Sequence, residues 1–151
     1  MKPLVIYDSK YGHTEKIARA IGAAIHGQVL HIGEVEPAAL KDYKLLIIGS
    51  PTHDGFPTEG IHNLVKTAGL FRGMRVAAFD TRTKTTIFGY AAPKIAKNLE
   101  KSGGKRLVPP EGFFVSGTEG SLLDGELERA AAWANTIREL EDFDDRKGKK
   151  A

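Results

Sequence analysis

The stretch VIYDSKYGHTEKIARAI (residues 5–21) decides how the chain reads. An apolar run stops at Ser9, passes through Tyr11 and Gly12, and gives way to apolar residues spaced three and four apart. The run PLVIYD (3–8) does not alternate with polar residues, which suits a strand covered on both faces. From Thr14 to His26 the residues Ile17, Ala20, Ile21, Ala24 and Ile25 share one helical face. The turn between strand and helix therefore sits at a helix N-terminus, where unpaired N–H groups and a partial positive charge make an anion site. Ser9 and Thr14 offer hydroxyls to such an anion, and Gly12 lets the backbone come close to a phosphate. A local role is equally open, with Thr14 capping the helix and Gly12 serving a tight turn. The loop has neither the GK[ST] ending of a Walker sequence nor the dinucleotide pattern G-x-G-x-x-G.

Outward from this stretch, apolar β-rich runs alternate with helical patterns. QVLHI (28–32) reads as a short strand and GEVEPAALKDY (33–43) as a polar connection with at most one helical turn. KLLIIGS (44–50) is the most hydrophobic strand and belongs at the centre. Ile61, Leu64, Val65 and Ala68 give a second helix face between Glu59 and Leu70. MRVAAFD (74–80) is a strand ending on an aspartate. Tyr90 to Lys101 is a third helix with Ile95 and Leu99 inward and SGG (102–104) as its stop. KRLV (105–108) and FFVSG (113–117) form one strand interrupted by PPEG, since proline cannot sit inside a central ladder. Asp124 opens the last helix as its N-cap, with Leu127, Ala130, Ala131, Ala134 and Ile137 inward and Trp133 packing at the edge.

Five strands alternating with about four helices describe one α/β domain, a parallel sheet wrapped on both faces. Such sheets bind ligands outside the carboxyl ends of their strands. Here those ends are Ser9–Thr14, Ser50–Gly55, Asp80–Thr86 and Ser116–Gly120.

Composition sets the wider frame. The 151 residues are one domain's worth, 41% hydrophobic and 27% charged, as in ordinary globular proteins. No apolar run approaches the roughly 20 residues that cross a bilayer, and MKPLVIYDSK does not read as a secretory signal. Zero cysteines exclude disulfides, thiolate metal sites and a Cys nucleophile. The expected location is cytoplasmic. The net charge of +3 resides in RKGKKA (146–151): without its four basic residues, 18 Lys and Arg face 19 Asp and Glu. That tail is expected to be frayed and solvated. Neither a nucleic-acid nor a membrane partner is expected.

Several residues define the chain's resemblance to a known family. SKYGHTEKIA (9–18) matches a phosphate loop of the form Ser/Thr-x-Thr/Tyr-Gly-x-Thr followed by an amphipathic helix. LLIIGSPTHDG (45–55) resembles a second flavin loop, FGYAAPKIAKNLEKSGGKRL (88–107) a fourth helix leading to a fifth strand, and FFVSGTEGSLLDGELERAAAWANTI (113–137) a C-terminal strand and helix. On these motifs the chain resembles the flavodoxins. The resemblance implies a three-layer, doubly wound, five-stranded parallel sheet of order 2-1-3-4-5. It also implies an FMN-binding domain over residues 1–141, with 142–151 left as a charged tail.

The same resemblance implies noncovalent FMN as cofactor and electron transfer as function, without catalytic residues or a metal. By position Ser9, Lys10, Tyr11, Gly12, His13 and Thr14 would cradle the 5′-phosphate. Ser50, Pro51, Thr52, His53, Asp54 and Gly55 would line one side of the flavin ring. Asp80, Thr81, Arg82 and Thr83 would reach the other side and the pyrimidine edge. His53 would lie over the ring or donate a proton near neutral pH; the five histidines show no H-E-x-x-H spacing. Partners would be a reductase and an acceptor protein, with the oligomeric state left unspecified.

Departures from the family pattern keep alternatives open. The body is near neutral where flavodoxins are acidic, and the fourth-strand loop DTRTKTTIFGY (80–90) is Thr-rich and basic where an aromatic usually stacks on the ring. Phe88 and Tyr90 read as part of the helix start. Arg82 near the pyrimidine edge would raise the flavin potential. The alternatives are a small NAD(P)H-linked flavin or quinone reductase, a flavodoxin-fold interaction module that has lost FMN, and a binder of phosphorylated ligands. A receiver-like site fits poorly, since Asp8 stands without a second acid and no Lys follows the fifth strand. A chain of this length without large insertions leans towards the carrier.

Overall fold

In the computed structural model, which describes residues 2–84, 87–117 and 120–149, the run after Pro3 forms β1 (Leu4–Tyr7), buried throughout. β2 (Gln28–His31) and β3 (Leu45–Pro51) flank it in parallel, and β4 (Arg75–Arg82) pairs in parallel with β3. β5 (Lys105–Arg106) and β6 (Glu111–Phe114) both pair in parallel with β4, giving the order β2-β1-β3-β4-β5 with β6 continuing the β5 side. The interrupted strand is thus two short ladders on one neighbour, split at Pro109 and Pro110, which have no N–H to give.

Parallel strands need crossovers, and α1 (His13–Ile25), α2 (Glu59–Val65) and α3 (Ala91–Lys101) supply three of them, while α4 (Glu126–Lys149) follows the last strand. Between β2 and β3 the chain makes two 3₁₀ segments, Ile32–Glu34 and Pro37–Asp42, where the sequence suggested one turn at most. Side chains of each strand alternate between two cores. Leu4, Ile6, Leu46, Ile48 and Val76 pack with α2 and α3; Val5, Tyr7, Leu45, Ile47 and Phe79 pack with α1 and α4. That double burial is why these strands read as continuous apolar runs.

Several details differ from the sequence expectation. α2 ends at Val65, leaving Ala68 exposed, because the chain turns at Gly69 (φ +73°) and Leu70 N–H returns to the Thr67 carbonyl. β4 runs two residues past Asp80, since Thr81 pairs with both Pro51 and Phe113. Asp124 does not cap α4: Gly125 (φ +85°) precedes Glu126 and its carbonyl takes the Arg129 N–H at 2.9 Å. Leu127 is exposed, because the buried stripe of α4 starts at Ala130 and runs through Ala134 and Ile137. Trp133 packs edge-on against Phe79 and Phe113 as expected.

α4 includes residues 142–149 of the stretch assigned to a tail. Asp144 and Asp145 pair with Arg75 at 2.8 and 2.7 Å, and Lys105 Nζ reaches Asp144 at 3.0 Å, fastening the helix to the start of β4 and β5. Lys150 and Ala151 lie outside the described residues, as do Thr85 and Thr86 of the fourth-strand loop and Thr118 and Glu119 of the loop after β6.

At its other end α4 is anchored through Glu126, whose carboxylate accepts from Arg129 Nε (2.9 Å), Arg129 Nη2 (2.7 Å) and the Phe114 N–H (2.7 Å). The hydrogen bond from Arg129 holds this carboxyl below its ordinary value of 4.5. A depressed native value contributes stability that is present above 4.5 and lost as pH falls through the native value. Glu126→Gln is therefore expected to flatten the acid limb of the melting temperature against pH. Parallel limbs for the two proteins would remove Glu126 from the acid response.

Candidate functional site

Three loops meet at the carboxyl ends of β1, β3 and β4 and enclose a cavity of about 450 Å³. This is the crevice position of doubly wound sheets, and the volume suits a small cofactor. Of the predicted residues, Lys10, Tyr11, His13, Thr14, Pro51, Thr52, His53, Asp54, Thr81, Arg82 and Thr83 line it. Ser9, Gly12, Ser50, Gly55 and Asp80 do not line it, and their contacts shape the loops instead.

The first loop is held from within. Asp8 Oδ1 accepts the Ser9 N–H at 2.8 Å, and Ser9 Oγ accepts the Gly12 N–H at 3.0 Å. Gly12 takes φ +92° and leads straight into α1, which has no side-chain cap. Thr14 does not cap it: Thr14 Oγ1 is buried and 2.7 Å from Thr81 Oγ1, tying the first loop to the end of β4. The start of α1 thus has no side-chain cap, and its first residues, His13 and Thr14, line the cavity. The Nε2 of His13 is buried without a hydrogen-bond partner among the described residues.

The second loop turns at Asp54-Gly55. Both take positive φ (+50° and +85°), and His53 and Phe56 exchange backbone bonds at 2.9 and 2.8 Å. Positive φ at both central positions is the type I′ signature that Asp-Gly favours. Ser50 Oγ donates to the Pro51 carbonyl and accepts the Thr58 N–H, both at 2.9 Å, closing the base of the loop. Gly55 abuts the third loop so closely that a Cβ there would lie 2.1 Å from the Phe88 carbonyl oxygen. The Lys94 ammonium donates to the Gly55 carbonyl, holding the tip from the side of α3.

Asp80 organises the third loop from inside β4. Fully buried, it accepts from Arg82 Nε (2.7 Å), Arg82 Nη2 (2.8 Å) and the Ala92 N–H (2.8 Å), and it bonds the Thr52 hydroxyl. Burial pushes its carboxyl above the ordinary 3.8, with Arg82 the main opposing pull. Thr52 Oγ1 accepts the Ala91 N–H at 3.1 Å. One carboxylate thus gathers both feet of the loop that runs from Arg82 to Ala92. Arg82 also lies 3.5 Å from the centre of the Tyr90 ring. Its charge is matched by the Asp80 carboxylate.

Three further residues line the cavity that the sequence did not point to: Ile87, Phe88 and Val115. Phe88 is not part of α3, because Gly89 takes φ +86° and the helix begins at Ala91. Phe88 therefore stands in the cavity wall. The signal was present in IFGY, as a glycine between the two aromatics.

The flavodoxin family model matches residues 5–133. The chain belongs to the flavodoxin family. Its solved neighbours share the flavodoxin fold at low identity. Oxidised Flavodoxin 1 from Bacillus cereus is 19% identical with a TM-score of 0.78, the match covering 92% of this chain and 98% of that one. A flavodoxin from the domain Archaea is 24% identical, with a TM-score of 0.76 and coverage of 93% and 99%. The rubredoxin oxygen:oxidoreductase of Desulfovibrio gigas, 20% identical with a TM-score of 0.76, matches 93% of this flavodoxin chain over 36% of its own length. No curated protein matches the sequence. No described helix is long and apolar enough to cross a membrane.

Proposed function

We propose that this chain binds FMN noncovalently in the cavity and acts as an electron carrier between redox partner proteins. The observation that carries the proposal is the uncapped N-terminus of α1, reached through Gly12 at φ +92° and opening on a cavity walled by Tyr11 and Phe88. A phosphate meets the needs of that helix end, and the aromatic side chain of Phe88 suits a planar ring. The unpartnered Nε2 of His13 is a further group that a ligand or water would satisfy.

When bound, the flavin supplies one- and two-electron chemistry in its ring. The chain's residues supply position and surroundings. Ser9, Lys10, Tyr11, Gly12, His13 and Thr14 hold the phosphate, with Ser9 and Gly12 acting through loop shape. Pro51, Thr52, His53 and Asp54 form one wall; Thr81, Arg82, Thr83, Ile87 and Phe88 form the other. Ser50, Gly55 and Asp80 act at one remove, by fixing those walls. The reading as an interaction module without FMN rested on a missing aromatic, and Phe88 in the cavity wall weighs against it.

The test is an absorbance spectrum after incubation with FMN and desalting. One FMN per chain is expected. Gly12→Asp is expected to weaken it roughly 10- to 100-fold, through left-handed strain of about 1–2 kcal/mol and charge repulsion at the phosphate. No retained flavin at micromolar protein overturns the proposal. NAD(P)H oxidation with a quinone acceptor would mark a reductase instead of a carrier.

A further inference from the structure

Seven cations, Arg19, Arg75, Arg82, Lys105, Arg106, Arg129 and Arg138, each have a carboxylate within ion-pair reach. Around the cavity mouth three lysines lie against aromatic rings instead. Lys10 lies 5.5 Å from the Tyr11 ring centre, Lys94 3.8 Å from that of Phe56, and Lys84 6.0 Å from that of Phe114. Among the described residues, none of the three has a carboxylate within 4.0 Å. An aromatic face holds an ammonium in place without cancelling its charge. The opposing groups are few: Asp54 lines the cavity, Glu59 starts α2, and Glu126, which draws Lys84, is already held by Arg129. Between the lysines stand exposed apolar residues, with Ile87 89% and Phe88 61% accessible. An apolar centre inside a charged rim is the anatomy of a protein interface.

We propose that the cavity mouth docks a redox partner whose own docking face is acidic, with Lys84 and Lys94 as the cationic rim, Lys10 being taken up by the phosphate, and Ile87 as the apolar centre. This rests on the electron-carrier reading for the partner's redox nature, but the rim belongs to the polypeptide whether or not flavin is bound. Complementary charge steers encounter and fixes orientation, and its contribution falls with salt.

The test titrates the FMN-loaded protein with two probes of opposite charge, an acidic [2Fe–2S] ferredoxin and basic cytochrome c, at about 20 and about 300 mM NaCl, spanning long and short screening lengths. Calorimetry is expected to show ferredoxin binding that weakens about tenfold between the two salts, and no preference for cytochrome c. Lys84→Glu, at an exposed position, is expected to weaken ferredoxin severalfold at low salt, while a double change of Arg146→Gln and Lys147→Gln in the basic C-terminus leaves it unchanged. Equal affinity for both probes overturns the proposal, as does loss of binding in the C-terminal variant with none in Lys84→Glu. The titration is repeated on the flavin-free chain. Salt-sensitive ferredoxin binding there sustains the docking surface even where the absorbance test shows no flavin retained. Retained flavin without salt-sensitive binding removes the docking surface and leaves the carrier reading in place.

Discussion

Asp80→Ala is expected to lower the unfolding free energy by about 3–5 kcal/mol, the usual penalty for removing one partner of a buried ion pair. Arg82 is only 13% accessible at its side chain and receives both contacts from this one carboxylate. Without Asp80 the guanidinium is left in a site packed against Tyr90 and Gly112, with little water to replace the loss. The Ala92 N–H at the start of α3 loses its acceptor as well. The double variant Asp80→Ala with Arg82→Met is expected to recover much of the loss, because an apolar pair of similar volume needs no charge compensation. Urea unfolding of both variants measures this. A cost under about 1 kcal/mol for Asp80→Ala would show that the pair does not hold the loop's feet together.

Gly55→Ala is expected to destabilise by about 1–3 kcal/mol and to weaken FMN at least about tenfold. Two effects combine there. An L residue at φ +85° is strained, and the new Cβ meets the Phe88 carbonyl oxygen at 2.1 Å. The obstacle is backbone, so the second and third loops must part, and Phe88 moves with its own carbonyl. Gly12→Ala is the natural comparison, since φ there is +92° but nothing lies within 4 Å of the added carbon. Strain alone acts at Gly12, strain and collision at Gly55. Equal losses of stability in the two variants would mean that the loop contact adds nothing.

Much of the fold was legible because both faces of the sheet are buried. β1, β3 and β4 carry apolar residues at successive positions, which marks central parallel strands, and Pro109 and Pro110 showed where an outer strand had to break. The first loop was legible through Gly12, whose left-handed conformation leads into the helix. What remained hidden depended on partners distant in sequence. Asp80 looks like a loop residue facing ligand until the bonds to Arg82, Thr52 and Ala92 show that it faces inward. Thr14 looks like a cap until Thr81 claims its hydroxyl. Phe88 was misplaced because helical spacing continues through it, whereas the Gly89 φ breaks the run. Helix ends were misjudged for a related reason: Ala68 fits the α2 face in periodicity, but Gly69 has already turned the chain.

The broken outer strand has a consequence for how molecules meet at high concentration. A newcomer strand approaching the side of β4 occupied by β5 and β6 finds a two-residue ladder, a gap holding Pro109 and Pro110, and a four-residue ladder. Amyloid-like or swapped growth needs a longer uninterrupted row of donors and acceptors than either piece presents. The prolines that divide the strand therefore also guard it, and this flank of the sheet is closed to chain-to-chain extension without a covering helix.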